Sequence, residues 1–222
     1  MLVDKYYENK VVLVTAGPTY EAIDPVRFIG NRSTGKMGIA IVDLLSSCGA
    51  KVFLVSGPMS VVPRFPVEEW IKVESAEEMF EACDRLFEQV DIGIFAAAVA
   101  DYTPVDVKDQ KIKKSEETWS ITLKKTRDIL KEMGYRKAEH QCLVGFALET
   151  ENEMENALHK LKAKNLDMIV LNSMQTQGAG FGHDTNEITI LDKHNFVRKF
   201  ELKTKEAVAS DILEHLTRFL PE

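Results

Sequence analysis

Short apolar runs alternate with amphipathic stretches along most of the chain. Lys10 to Ala16 (KVVLVTA) is rich in β-branched residues and stops at Gly17-Pro18, which predicts a first strand. From about Thr34 to Ser47 apolar residues recur at helical spacing. Met37, Ile41, Leu44 and Leu45 share one face, and Gly49 closes the segment. Lys51 to Ser56 (KVFLVS) predicts a second strand, and such β-α-β units are nearly always right-handed with parallel strands. The alternation continues with a helix over Ser75 to Gln89, opened by a capping box of Ser75 and Glu78. Asp91 to Ala96 (DIGIFA) is almost wholly apolar, as expected of a strand covered on both faces. Thr118 to Lys124 (TWSITLK) alternates like an edge strand, and Asp128 to Gly134 predicts one or two helical turns. Gln141 to Ala147 (QCLVGFA) and Asp167 to Leu171 (DMIVL) are further buried strands. Between them lies a helix over Thr150 to Lys164, with Thr150 and Glu153 as a second capping box.

The pattern then changes. Gly178 to Asn186 (GAGFGHDTN) is a glycine-rich loop. Glu187 to Leu191 and Val197 to Leu202 flank a polar connection and predict a hairpin. An amphipathic helix over Lys205 to Phe219 ends the chain. The fold class is therefore α/β: a doubly wound, Rossmann-like, mostly parallel sheet with an antiparallel hairpin appendage. Residues 1–222 form one domain, of which 1–9 read as an N-terminal extension or a linker remnant. Ligands of such sheets bind beyond the carboxyl ends of the strands. The loops after Ala16, Ala96, Ala147 and Leu171 are thus where function should lie.

Composition narrows the class. A net charge of −7 argues against non-specific nucleic-acid binding, which needs a basic face. It leaves room for a local anion site. Cys48, Cys83 and Cys142 form no CxxC pair, so they suit reduced, buried thiols and no zinc site. No apolar run reaches the length of a membrane span, and the polar, acidic start lacks a signal-peptide core. His140, His159, His183, His194 and His215 make no metal pattern, and no GxSxG elbow is present.

The first loop, TAGPTYEAIDPVRFIGNRSTGKMG, is neither GxGxxG nor a Walker A loop, because Met37 follows Lys36. Asn31 to Lys36 still bring small residues, hydroxyls and two cations to a helix start, which suits an anion and equally suits an ordinary capped helix. The second loop, FAAAVADYTPVDVKDQKIKK, places three alanines where a flat ring can approach backbone, or where a helix packs closely. Its lysines Lys111, Lys113 and Lys114 belong to a solvated face or to a flap that closes over phosphates. Beyond the third loop, GFALET, Lys160 and Lys164 share one helical face. Phe146 at the strand end is a core residue or a neighbour of a base. The residues alone point to nucleotide or phosphate handling.

Read together, TAGPT, DPVR, Asn31 with STGKMG, AAVADY, KIKK, GFALET, KNLD and GFGHDTN resemble, in the same order, the phosphopantothenoylcysteine synthetases, over about residue 10 to the C-terminus. The similarity is greatest to the bacterial synthetase domain that is often fused behind a flavin-dependent decarboxylase. It implies a cytoplasmic ligase of coenzyme A biosynthesis, working as a homodimer on 4′-phosphopantothenate, L-cysteine and CTP, with Mg²⁺. By that resemblance the carboxylate attacks the α-phosphate of CTP, and the cysteine amine then displaces CMP from the acyl-cytidylate. Asn31 would hold the acyl-nucleotide and Lys111 would be the flap cation on the phosphates. Phe95, Ala96 and Ala97 would lie against the base. Asp101, Arg127, Asp128, Ile129, Leu130, Phe146, Lys160 and Lys164 would bind the nucleotide. The hairpin near 187–202 is a candidate for dimer contacts. The metal ligands are not assigned by the motifs. Thr34 stands where the family usually has serine, and Leu148 replaces an alanine common in GFAAET. Members with KIKK usually take CTP and eukaryotic members ATP.

Two other classes compete with a ligase. A nicotinamide-dependent reductase would need a GxGxxG-like first turn and an acidic end to the second strand, but Ala16 to Thr19 and Val55 to Pro58 supply neither. A non-catalytic nucleotide-binding module would tolerate losses among the catalytic motif residues, whereas all of them are present.

Overall fold

A computed structural model describes residues 4–113, 117–149, 151–173 and 182–220. The chain runs α1 (Asp4–Tyr7), β1 (Val11–Ala16), β2 (Tyr20–Ala22), β3 (Phe28–Gly30), α2 (Lys36–Ser47), β4 (Lys51–Ser56) and β5 (Glu69–Lys72). It continues with α3 (Ala76–Phe87), β6 (Ile92–Phe95), β7 (Tyr102–Pro104), β8 (Leu123–Lys125), α4 (Ile129–Arg136), β9 (Cys142–Glu149) and α5 (Glu153–Ala163). The last part holds β10 (Met168–Ser173), β11 (Thr185–Asn186), β12 (Ile188–Asp192), β13 (Val197–Lys199), β14 (Lys203–Thr204) and α6 (Lys205–Leu216).

Eight strands form the central sheet in the order β13-β12-β10-β9-β6-β1-β4-β5. β1 pairs in parallel with β4 on one side and β6 on the other, so the winding reverses between β1 and β6. β12 and β13 run antiparallel and extend the sheet beyond β10, which accounts for the expected hairpin. Three two-stranded ribbons, β2–β3, β7–β8 and β11–β14, stand apart from it.

The strand alternation sorts the core into two layers. Val12, Val14, Ile94, Val144 and Val170 face α2 and α6. Leu13, Val55, Leu143, Ile169 and Leu171 face α3, α4 and α5. Leu13 is fully buried, so truncation to alanine would cost ~2–5 kcal/mol. The three thiols are free and buried, as their isolated spacing suggested.

Several boundaries differ from the expectation. The second capping box lies partly outside the described residues, at Thr150, and α5 instead starts after Asn152, which has φ 48 and no side-chain cap bond. Thr118 to Lys124 is not an edge strand of the sheet. Only Leu123–Lys125 is extended there, and it pairs with β7 because the chain has already left the sheet after β6. α2 starts two residues later than expected. Gly35, at φ 76, turns the chain into it. Gly38 then lets α2 lie against β1, since a Cβ there would come within 2.6 Å of the Ala16 side chain. That close approach sets the start of α2 beside the switch point. The Ser75–Glu78 capping box of α3 is present as predicted.

Candidate functional site

A cleft of about 670 Å³ opens at the carboxyl ends of β1, β6, β9 and β10, a size suited to a nucleotide and a second small substrate. It is lined by Asn31, Phe95, Ala96, Ala97, Asp101, Arg127, Asp128, Ile129, Leu130, Phe146, Lys160 and Lys164. These residues come from five separate segments of the chain and meet only because the sheet reverses direction there.

The alanine-rich loop is stitched to the first loop. The Ala97 N–H donates to Thr15 Oγ1 at 3.2 Å, the Ala98 N–H to the Gly17 carbonyl at 2.8 Å and the Ala100 N–H to Thr19 Oγ1 at 2.9 Å. Asn31 completes the join. Its exposed carboxamide nitrogen donates to the carbonyls of Ala98 at 2.9 Å and Val99 at 3.2 Å. Both amide protons are thereby engaged, and the side-chain oxygen remains as an acceptor. Phe95 is 7% exposed and sits mainly in the core beside α3, so Ala96 and Ala97 offer the flatter wall.

The cations of the cleft are held by carboxylates that range from the exposed Asp184 through the half-exposed Asp128 to the mostly buried Glu149. Lys160 Nζ lies 2.6 Å from Glu149, Lys164 Nζ 2.8 Å from Asp128, and Lys36 Nζ 2.6 Å from Asp184. Arg127 stacks over Phe80 at 4.2 Å and reaches Glu77 at 3.3 Å. The Lys36 ammonium holds the Asp184 carboxyl below its ordinary range. Surface pairs of this kind contribute little to stability, so an anionic ligand can replace the carboxylate. Asp128 also caps α4 through the Lys131 N–H, which explains why the short helix begins where the loop ends.

Lys111 does not line the cleft. It is exposed, next to Ile112, whose N–H donates to Asp24 Oδ2 at 3.1 Å and whose carbonyl accepts from Arg27 at 3.1 Å. Asp24 is buried and also accepts the N–H groups of Val26 and Arg27 and the Arg27 guanidinium, which holds its carboxyl well below the usual range. The lysine segment is thus moored beside the cleft. Lys114 and residues 174–181 of the glycine-rich loop lie outside the described residues.

One part of the wall escaped the sequence reading. Asn172, at the end of β10, Asn186 and Lys205 all line the cleft. Lys205 is only 6% exposed, although as the first residue of an amphipathic helix it reads as a surface cation. Burial pushes its ammonium below the ordinary lysine range.

Comparison with known proteins identifies the family and the fold. Residues 7–220 match the family described as the DNA/pantothenate metabolism flavoprotein C-terminal domain. The chain is 52% identical over 215 residues to a cysteine/cysteine sulfinic acid decarboxylase of an unknown prokaryotic organism, covering 97% of this chain and 60% of that one. It is 48% identical over 209 residues to the coenzyme A biosynthesis bifunctional protein of Bacillus subtilis, covering 94% of this chain and 51% of that one. The chain therefore spans only about half to three-fifths of these curated relatives. The crystal structure of the C-terminal domain of a coenzyme A biosynthesis bifunctional protein superimposes with a TM-score of 0.80 at 41% identity, covering 96% of this chain and 97% of that one. The chain belongs to the family of the DNA/pantothenate metabolism flavoprotein C-terminal domain.

Proposed function

We propose that this chain is a phosphopantothenate–cysteine ligase of coenzyme A biosynthesis that activates its acid with CTP. The observation that carries the reading is the convergence of Asn31, Ala96, Ala97, Phe146, Lys160 and Lys164 on one cleft at the switch point. Their motifs are spread over more than a hundred residues of chain, and a nucleotide and a phosphorylated acid are what that set of groups would receive.

The chemistry follows from charge. A carboxylate oxygen of 4′-phosphopantothenate attacks the α-phosphorus of CTP, the bond to the β-phosphate oxygen breaks, and pyrophosphate leaves. Two anions must approach, so Lys160, Lys164 and Lys36 offset their repulsion once they exchange their carboxylate partners for phosphate. The cysteine amine then attacks the acyl carbon, loses a proton, and CMP departs. Asn31 bridges the two loops that flank the reacting centre and offers its amide oxygen there. Lys111 reaches the phosphates only when its segment leaves its Asp24–Arg27 mooring, which makes closure part of the first half-reaction and excludes water from the acyl-nucleotide. Mg²⁺ would offset phosphate charge when bound with the nucleotide. It commonly takes one or two carboxylates plus substrate phosphates, and Asp101, exposed at the cleft, fits that need. Among the described residues no three metal-ligating side chains cluster.

A homodimer is part of the reading. Phe28, Tyr102, Val105, Val107 and Leu123, each 40–54% exposed, gather on and beside the ribbons β2–β3 and β7–β8. An apolar surface of that kind favours a second copy there over the 187–202 hairpin, whose outer strand carries the charges of Arg198 and Lys199. Sedimentation at micromolar concentration should give a dimer that Phe28→Ser with Leu123→Ser weakens. A Val197→Ser variant that dissociates while the ribbon variant stays dimeric would return the contact to the hairpin.

The activity test is direct. With 4′-phosphopantothenate, L-cysteine, Mg²⁺ and CTP, pyrophosphate release should require phosphopantothenate, and 4′-phospho-N-pantothenoylcysteine should form only with cysteine. A folded protein that releases nothing with CTP or ATP would leave the cleft a binding module.

A further inference from the structure

The connection between β4 and β5, residues 57–68, is fastened to α2 at two places. Asp43 of α2, 4% exposed, accepts the Arg64 N–H at 2.6 Å and Arg64 Nε at 2.8 Å. About two helical turns nearer the start of α2, the half-buried Met59 lies against Gly35. Its sulfur fills the space that a Cβ on Gly35 would take, because the two would be only 2.4 Å apart. The same point is 3.4 Å from the Gly17 nitrogen. Gly57 is pressed against the first loop in turn. A Cβ there would fall 1.5 Å from the Pro18 carbonyl oxygen, and its N–H donates to the Ala16 carbonyl at 3.0 Å. The turns after β1 and β4 and the turn before α2 are thus wedged together, with the Met59 side chain as filler. An unbranched thioether suits such an irregular gap.

What this packing holds is the entrance of α2. Its N-cap, Gly35, has no side chain with which to cap the first-turn N–H groups of Lys36, Met37 and Gly38. All three residues line the cleft. The direction of their N–H groups depends on Gly35 keeping its φ of 76, and a glycine left to itself adopts negative φ as readily. Packing must therefore remove that freedom, and the Met59 sulfur sits where it does so. We infer that Met59 is a positioning residue for the substrate phosphate seated at the start of α2: it holds Gly35 in its left-handed turn and keeps the uncapped N–H groups aimed into the cleft. Met59 does not line the cleft, so it acts through Gly35 and touches no substrate. The identity of the phosphate-bearing ligand rests on the ligase reading.

The test compares Met59→Ala and Met59→Leu with the wild-type protein by steady-state kinetics and by calorimetric titration with CTP, ATP and 4′-phosphopantothenate. Met59→Ala empties the space beside Gly35. It should raise the KM and Kd of a phosphate-bearing substrate about fivefold or more. The kcat should stay within about twofold, and the KM for L-cysteine should not change. Met59→Leu, which refills the space with a side chain of similar volume, should restore the wild-type KM. The melting temperature reports the packing loss separately, so a purely structural methionine would lower it and leave every KM in place. Unchanged KM and Kd values in folded Met59→Ala overturn the inference, as does a loss of kcat alone or a rise in KM that Met59→Leu does not reverse. A wild-type protein that binds these ligands without turnover counts against the ligase reading only, and the Kd comparison then decides the role of Met59. A wild-type protein that binds none of them overturns both.

Discussion

The two ends of the parallel sheet use similar residues to opposite effect. At the amino end, polar groups are buried and saturated. Asp167, 2% exposed, accepts from the Leu143 N–H at 2.7 Å, Lys193 at 2.7 Å and Lys137 at 2.9 Å. Gln141 caps the carbonyls of Phe87 and Val90 at 2.7 and 2.9 Å, and Asp91 takes the Val11 N–H at 2.8 Å. At the carboxyl end, Lys164 and Lys36 pair with single exposed or half-exposed carboxylates, and Lys160 with the mostly buried Glu149. A carboxylate sealed between two lysines and a backbone N–H has no room for a ligand and serves stability. A lysine held by one exposed carboxylate is an exchangeable partner. The position along the strand, more than residue type, separates structure from function here.

The sharpest break of this contrast is Asp167→Ala. Removing one partner of a buried charge cluster strands the others, so stability should fall by ~3–5 kcal/mol in denaturant unfolding. Turnover per folded molecule should be nearly unchanged. The pH dependence carries the same signature. Burial pushes the Asp167 carboxyl up, but the Lys193, Leu143 and Lys137 hydrogen bonds outweigh it, and the folded value lies below the ordinary one. Its contribution is therefore full above about pH 4 and is lost as pH falls through the folded value. The wild-type and Asp167→Ala stabilities should converge in acid. A variant that stays stable but loses activity would erase the distinction between the two ends.

Asn31→Asp acts at the other end. It exchanges the amide donor for a carboxylate facing the carbonyls of Ala98 and Val99 at the site proposed to receive anions. Acyl-nucleotide formation should fall by about 100-fold or more while the melting curve moves little, because Asn31 is exposed. Wild-type turnover would remove Asn31 from the mechanism. Lys111→Gln should slow pyrophosphate release about tenfold or more, again with an unchanged melting curve. A lower melting temperature with an unchanged rate would make the segment a structural strap. The smallest effect belongs to Asp184→Asn, which removes the carboxylate that competes for Lys36. The melting curve should not move, and nucleotide should bind slightly more tightly. Weaker binding would mean that Asp184 orients Lys36 for its ligand.

The sequence was most legible where burial imposes a period. Lys51–Ser56 is a strand over the very residues its short apolar run indicated, and Ser75 with Glu78 caps α3 as their spacing implied. It was less legible where short-range bonds replace periodicity. The β2–β3 ribbon was not foreseen, because each strand has only three residues and the turn between them is fixed by Asp24 and its local N–H donors. β5 was missed for a related reason. Glu69–Lys72 is an edge strand with no fully buried residue to create a pattern. The motif residues of the cleft were found through resemblance, since spacing alone could not bring together loops that meet only through the strand order. Lys205 was invisible to both, because its burial comes from Asn186 and the 183–185 backbone closing over it, and no local feature announces that contact.

The most direct test of the account is the fate of the carboxylate oxygen. With 4′-phosphopantothenate labelled with ¹⁸O in its carboxylate, turnover with CTP and cysteine should deliver one labelled oxygen to the phosphate of CMP. The bond formed to the α-phosphorus survives when the amine displaces the acyl group. Label in inorganic phosphate with CDP as co-product, or no label in CMP, would contradict activation at the α-phosphate and with it the assignment of this cleft.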